Sequence, residues 1–363
     1  MVKKKKTTEM LTSTNSNGIN NWRTEDSILN FLYSYLDDEG NLNKSTSKFK
    51  ENEKKFINAK FAPGMIDALF STTKPSDSEK YIDKLVKYLK SIALNGDTVS
   101  EQKFFQIVST KLIDFNIIDY TFELANIDSL PKEPHLTNFA KDLISKTADI
   151  SSVKFGMQIL AKCQDKSVLK DIKVLGLHDE FTFYATNTII DLSNHVENDL
   201  WELGKRIDGW GRIKLIEKLA KFKLSEPIKD WFFYEGYKNK IYYEYSALDC
   251  AIQGELYKKI QVGKISYRVY RSASDIICAL VNYSVPGGKI DNLPYPSKII
   301  QNFIRHAKFH AKSTSDFRAL DMIEDYLKDI KTYNVNGKIK GWDNKMVEIF
   351  LTEINEIYIN KNG

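Results

Sequence analysis

The chain has 363 residues, of which 42% are hydrophobic, enough to bury a sizeable core. Its formal net charge is +5, and because Lys3 to Lys6 contribute four of these charges, the remaining chain carries 5 − 4 = +1. A body so close to neutral disfavours proteins that hold a nucleic-acid backbone through an overall basic excess. The sequence also contains no run approaching the roughly 18 consecutive apolar residues of a membrane span.

Residues 1–22 are predicted to form a disordered basic tail. The lysine run is followed by the polar segment TTEMLTSTNSNGINN rather than by an apolar stretch, so we expect no secretory signal. The three cysteines, Cys163, Cys250 and Cys278, lie far apart in apolar segments and form no CxxC pair. This usage is typical of reduced thiols in a cytoplasmic protein.

An N-terminal helical portion is predicted over residues 23–130. Apolar residues recur at spacings of three and four in SILNFLYSYL and in YIDKLVKYLKSIAL, which is the pattern of amphipathic helices. Pro131 and Pro134 interrupt the segment IDSLPKEPHL. Because proline breaks helices, this segment marks the predicted boundary with the second portion.

A helical-repeat array with closing C-terminal helices is predicted over residues 131–363. From Asp149 onward, short polar residues open the helices and glycines close many of them, as capping chemistry favours. Asp179 is expected to cap a helix that runs to about Leu192 and contains FTFYATNTII, whose composition is strand-like. Asn239 is expected to open a later helix. The helices have about 10 to 14 residues and short connections, so consecutive helices are expected to form antiparallel pairs.

The predicted fold class is therefore all-α, a right-handed superhelix (α-solenoid) of short antiparallel helix pairs. The helix cadence over residues 150–280, with Asp179, Asp208 and Pro227 near turns, resembles the HEAT/armadillo class of α-helical repeats. The segments DGWGRIKLIEKLA and IKDWFFYEGYKNKIYYEYSA are similar to a group of poorly characterised bacterial helical proteins, some of which are labelled limonene hydroxylase. The class resemblance implies a curved superhelix with a concave binding surface and implies no reaction.

The candidate binding surface is a cluster of aromatic, charged and amide side chains within residues 201–256. Trp, Tyr and Arg dominate binding energy at interfaces because they combine a large apolar area with a polar group. Neighbouring helices of a solenoid would display such side chains along one groove, although core packing is the alternative for each of them. The cluster comprises Trp210, Arg212, Trp231, Glu235, Asn239, Tyr242, Tyr243 and Glu244.

We therefore predict a cytoplasmic, non-catalytic binding or scaffold protein that docks a partner protein in this groove. A second hypothesis is nucleic-acid binding through a lysine-rich helix surface, in the manner of helical-repeat DNA glycosylases of the AlkD type, which grip DNA by shape and charge. The basic side chains of this surface are Lys205, Arg206, Arg212, Lys214, Lys218, Lys221 and Lys223. The identity of the partner and the oligomeric state stay open.

An enzyme of the hydroxylase-labelled group is a further hypothesis. His306 and His310 are four residues apart and share one helix face, and Asp316 would complete a two-histidine, one-carboxylate site for iron or zinc. However, Ala307 stands where a zincin carries its general-base glutamate, and no haem- or nucleotide-binding motif is present. We therefore predict no catalytic residue, no metal and no cofactor.

Overall fold

The computed structural model of this chain places most of the sequence in helices. The residues that the structure describes are 22–42, 62–70, 79–111, 113–333, 339 and 341–362. In these ranges there is no β-strand, and one isolated antiparallel bridge joins Leu36 to Leu42. The prediction of an all-α protein is confirmed. The predicted basic tail, apart from Trp22, lies outside the described residues.

The chain divides into two compact units, one ending at Asn194 and one beginning at His195. The helices of the first unit are α1 (Ile28–Ser34), α2 (Met65–Phe70), α3 (Glu79–Asn95), α4 (Thr98–Thr110), α5 (Phe115–Ala125), α6 (His135–Ser145), α7 (Ile150–Cys163), α8 (Leu169–Leu175) and α9 (Asp179–Leu192). Helix α6 packs against both α3 and α7, so the proline segment before it lies within this unit. The predicted division into residues 23–130 and 131–363 stays a prediction.

Helix α7 forms the centre of the first unit. Every side chain from Ser152 to Ala161 is buried, and the helix packs against α4, α6 and α9. Its N-terminus is capped by Asp149, whose carboxylate accepts a 2.8 Å hydrogen bond from the Ser152 backbone N–H. A polar side chain on this helix therefore has to find its partner inside the protein.

Helix α9 forms in spite of its strand-like composition. Its threonines bond back along the helix, and Thr182, Thr186 and Thr188 each donate a hydroxyl to the carbonyl four residues earlier. All three are fully buried. Threonine hydroxyls disfavour helices when they compete for backbone groups, but here they are satisfied by carbonyls of the same helix.

The first described residues are anchored to the same unit. Trp22 stacks on Phe105 with ring centroids 5.1 Å apart and meets Phe139 edge-on at 5.9 Å. Arg23 lies over the Trp22 ring and forms ion pairs with carboxylates of α4 and α6, each at 2.6 Å. Trp22 and Arg23 are therefore packed against the helices of this unit.

The second unit begins after Asn194 and is more regular in its packing. Its helices are α10 (Val196–Gly204), α11 (Trp210–Leu219), α12 (Glu226–Trp231), α13 (Glu244–Gln253), α14 (Leu256–Ile260), α15 (Tyr267–Val281), α16 (Pro296–His310), α17 (Thr314–Tyr333) and α18 (Asn344–Asn362). One π-helical turn, Phe232–Gly236, follows α12 without a break.

Alternate helices of the second unit pack on one another. Helices α11, α13, α15 and α17 follow each other in one row, and α14, α16 and α18 follow each other in a second. Consecutive helices from α13 to α18 also contact across the two rows. No helix in the described part of the chain combines the length and the apolar character that crossing a membrane would require.

Candidate partner-binding surface

Arg212 occupies the interior of the predicted binding cluster. Its Nη1 donates hydrogen bonds to the carbonyls of Gly204 (2.6 Å) and Ile207 (2.9 Å), and its Nη2 donates to the carbonyl of Glu235 (3.0 Å). Only 8% of the residue is exposed. The guanidinium therefore joins the end of α10 to the π-helical turn, where backbone carbonyls lack helical partners.

Burial dominates the electrostatics of Arg212. Loss of hydration lowers the pKa of the guanidinium, and the nearby charge of Asp208 offsets part of this effect. Among the described residues, Arg212 forms no ion pair with a carboxylate. Carbonyl dipoles at helix ends are negative, so they stabilise this charge in place of an acid.

Trp210 and Trp231 belong to the core as well. Trp210 packs edge-on against Tyr245 at 5.2 Å, and Trp231 packs edge-on against Phe232 at 5.6 Å. The Arg212 guanidinium lies 5.2 Å from the centre of the Trp231 ring. Both tryptophans are buried, so they support the surface from beneath rather than lining it.

The loop between the π-helical turn and α13, residues 237–243, is fixed by hydrogen bonds and is called the tyrosine loop below. The Asn239 amide accepts from the Gly209 N–H and donates to the Gly209 carbonyl, both at 2.9 Å. Asp208 accepts from the backbone N–H of Lys240 at 2.8 Å. Gly209 has φ of +86°, a conformation that favours glycine. This conformation allows the turn at Asp208 and Gly209 to approach the tyrosine loop.

These bonds also explain why α13 starts later than expected. Asn239 was predicted to open the helix, yet the helix begins at Glu244. The Asn239 side chain is bonded to Gly209, 30 residues away in sequence. It also accepts a 3.2 Å hydrogen bond from the backbone N–H of Ile241, but this local turn ends before the helix starts. The tyrosine loop is consequently held by bonds to the turn at Gly209 and is not the first turn of α13.

Tyr242 and Tyr243 project from this loop. They are 55% and 38% exposed, and their hydroxyls make no hydrogen bond within the described residues. One side of Tyr243 is supported by Tyr237, with ring centroids 5.4 Å apart. Two adjacent tyrosines are therefore held in place with their polar ends available.

The remaining predicted residues lie at the edge of this surface. Glu235 is exposed and pairs with Lys238 at 3.0 Å. Glu244 is half-buried and accepts a 2.6 Å hydrogen bond from the Asn282 amide. Of the eight predicted residues, Glu235, Tyr242 and Tyr243 are exposed. Trp210, Arg212 and Trp231 are buried.

The lysine-rich surface is partly paired with carboxylates of the protein. Four of its seven cations pair with two glutamates, and Arg212 is buried. The pairs are Lys205–Glu202 (2.6 Å), Arg206–Glu202 (4.0 Å), Lys214–Glu217 (2.8 Å) and Lys221–Glu217 (3.7 Å). Phosphate binding would have to compete with these carboxylates.

The two histidines on α16 bind backbone carbonyls. His306 Nε2 donates to the Ile260 carbonyl at 2.8 Å, and His310 Nε2 donates to the Ile265 carbonyl at 3.0 Å. Burial lowers the pKa of His306, which favours its neutral form. Asp316 caps α17 by accepting backbone N–H groups. In the described ranges, no three His, Cys, Asp or Glu side chains are grouped so as to hold a metal ion.

The sequence analysis missed a buried ionic cluster in the first unit. Lys154 on α7 donates from Nζ to Asp67 on α2 and to Glu180 on α9, both at 2.8 Å. Tyr184 donates its hydroxyl to the other oxygen of Asp67 at 2.5 Å. The lysine is 7% exposed and its two carboxylates are also enclosed. These bonds attach the six-residue helix α2 to the centre of the unit.

The charges of this cluster stabilise one another. Burial alone would lower the pKa of Lys154, but the neighbouring carboxylates of Asp67 and Glu180 raise it above its usual value. Burial opposes ionisation of Glu180, yet the charge of Lys154 holds the pKa of that carboxyl low. Burial and the charge of Asp67 raise the pKa of Tyr184. The lysine is therefore a charged structural group and not a nucleophile at neutral pH.

The three cysteines are free thiols, of which Cys250 is buried and the other two are partly buried. Burial raises the pKa of Cys163 and of Cys250, and it raises the pKa of Cys278 to about 12. Because the thiolate is the reactive form, these side chains are poor nucleophiles.

Comparisons with protein-family models, with curated proteins and with solved structures find no match to this chain. The resemblance to HEAT/armadillo repeats therefore depends on the helix pattern alone.

Proposed function

We propose that this chain is a non-catalytic, cytoplasmic α-helical scaffold that docks a segment of a partner protein on the tyrosine loop. The observation that carries the proposal is the pair of exposed tyrosines on a loop that hydrogen bonds hold fixed. Tyrosine offers a large apolar area, a polar group and only two rotatable side-chain bonds. A fixed loop also loses little conformational entropy when a partner binds.

The packing of the second unit supports the solenoid part of the proposal. Two rows of alternating helices, connected by consecutive contacts, are what a right-handed superhelix of HEAT/armadillo type requires. In such an array the loops between helices lie at the edges of the stack, where they are accessible to a partner.

Burial decides which residues of the predicted cluster are suitable for substitution. Trp231 and Arg212 lie inside the fold, so replacing either one would disturb folding and binding together. Tyr242 and Tyr243 are the informative positions because their rings are exposed, and the one aromatic contact of Tyr243 is with Tyr237.

The test is quantitative affinity purification of the chain and of a variant carrying Tyr242→Ala and Tyr243→Ala. Proteins that co-purify are identified by mass spectrometry, and binding of each purified protein is then measured directly. We expect the double variant to weaken binding of a true partner by about 2 kcal/mol or more, the size of an interface hot spot.

Tyr295→Ala is the matched control, because Tyr295 is 58% exposed on the same unit. Its replacement should leave that affinity unchanged, and far-UV circular dichroism should be the same for all three proteins. A partner that binds the double variant as tightly as the original chain would refute docking at the tyrosine loop.

A further inference from the structure

The loop between α14 and α15, residues 261–266, lies along the last turns of α16. Arg305 donates from Nη2 to the carbonyls of Gln261 (3.2 Å) and Val262 (2.8 Å). The two imidazoles of α16 donate to carbonyls at either end of the same stretch. These bonds hold the loop beside the C-terminal end of α16 and fix which side chains share that surface.

Three apolar side chains project from this region. Val262 is 48% exposed, Tyr267 is 49% exposed and Phe309 is 71% exposed. Phe309 follows Arg305 by one helical turn, so it lies on the face that holds the loop. Residues 261–264 are all exposed, and a side chain placed at Gly263 would meet no atom within 4 Å, so this end of the loop faces solvent.

The same surface carries a positive charge. Lys264 and Lys312 are exposed and form no ion pair within the described residues. Lys308 pairs with Glu353 at 3.3 Å, and the buried carboxylate of Asp316 is already paired with an arginine at 3.2 Å. The surface formed by Val262, Lys264, Tyr267, Phe309 and Lys312 is called the loop tip below, and it is apolar and basic together.

We propose that the loop tip binds the surface of a membrane that contains anionic lipids, with Phe309 and Val262 entering the head-group region. A protruding apolar group flanked by lysines matches a bilayer interface, which offers an apolar interior beneath a negative surface. A nucleic-acid duplex, whose bases are already stacked, would use the lysines but would gain little from Phe309 or Val262. This binding is peripheral and does not depend on the proposed partner.

The experiment is flotation of the full-length chain with vesicles of phosphatidylcholine, with and without phosphatidylserine. We expect the chain to float only with the vesicles that contain phosphatidylserine, and to be released as salt is raised. Phe309→Ser should weaken this binding about tenfold, because it removes one large apolar side chain from the interface. Lys264→Glu should weaken it at least about fivefold at low salt.

Two matched variants control for general effects. Tyr333→Ser removes an aromatic residue that is 72% exposed elsewhere on the unit, and Lys223→Glu changes the net charge as Lys264→Glu does. Neither should alter flotation. A third variant, with glutamine at Lys3 to Lys6, measures the contribution of the N-terminal lysines, and Phe309→Ser should still weaken binding in that background.

Three results would overturn the proposal. The first is no flotation with phosphatidylserine at low salt. The second is equal loss of binding in Lys223→Glu and Lys264→Glu, which would mean that net charge alone is sensed. The third is unchanged binding in Phe309→Ser, which would leave only a cationic surface of the kind that also retains nucleic acid.

Discussion

Lys154 in the first unit and Arg212 in the second are both buried cations, and the fold neutralises them differently. Lys154 lies between two carboxylates, each 2.8 Å from its ammonium group. Arg212 has no carboxylate partner among the described residues and donates instead to three backbone carbonyls. The pKa of the lysine is accordingly raised and that of the arginine lowered.

The two arrangements connect the chain over different ranges. The Lys154 pairs join helices whose residues are as far as 87 positions apart, whereas the Arg212 bonds stay within 23 positions. Removing one partner of a buried ion pair leaves the other charge buried and unpaired, which is strongly destabilising. Removing the donor of a carbonyl costs only the hydrogen bond to a neutral group, which destabilises less. The lysine site is therefore expected to be the more sensitive of the two.

The largest effect is expected for Lys154→Met, which leaves Asp67 and Glu180 without their cation. The free energy of unfolding should fall by about 3–5 kcal/mol, as for other broken buried pairs. Urea denaturation followed by far-UV circular dichroism measures the loss, and hydrogen exchange should rise first in α7 and α9.

Lys162→Met is the control, because Lys162 lies on the same helix in an exposed pair with Asp128 at 3.6 Å. Exposed pairs contribute about 0–1 kcal/mol. Equal losses for the two variants would mean that the buried cluster has no special role in holding α2.

A smaller effect is expected for Arg212→Met. Three carbonyls lose their donor, which should cost about 2–3 kcal/mol. Hydrogen exchange should rise around the end of α10 and the π-helical turn, and Arg206→Met, at an exposed position on the same segment, should change little. A loss for Arg212→Met larger than that for Lys154→Met would contradict the comparison.

The smallest effect is expected at Asp249, a partly buried carboxylate with no ion pair among the described residues. Burial, with the charge of Glu217, raises the pKa of this carboxyl to about 6. Because the folded state favours the protonated form, ionisation destabilises the fold progressively as pH rises from about 4 to 6.

Asp249→Asn should therefore stabilise the protein by about 1 kcal/mol above pH of about 7, a value reduced for partial exposure, and should have no effect below pH of about 4. Urea denaturation at the two pH values measures this difference. A gain that is the same at both values would show that the carboxylate charge is not responsible.

The helices could be predicted from sequence because their signals are local. The end predicted for α9, at about Leu192, is the one observed, whereas the cap is His178, one residue before the predicted Asp179. The prediction is this close because the cap and the threonine-to-carbonyl bonds all lie within a few residues. The start of α13 could not be predicted in the same way, because Asn239 bonds to a turn 30 residues away. No local sequence pattern predicts a contact between residues so far apart in the chain.

The site was only partly predictable for the same reason. Aromatic density identified the region that holds the tyrosine loop, but side-chain type does not distinguish the buried Trp231 from the exposed Tyr242. The ionic cluster left one weak signal, a lysine between the apolar residues Val153 and Phe155 of α7. Its partner Asp67 lies 87 residues earlier and belongs to no motif.

The placement of Trp22 gives the protein a built-in optical reporter. It is one of five tryptophans and the only one before residue 195, and its ring is enclosed by Phe105 and Phe139. Emission that is lost in a Trp22→Phe variant therefore belongs to the first unit, and the emission that remains belongs to the second. Fluorescence from one sample can thus separate the unfolding of the two units without any added label.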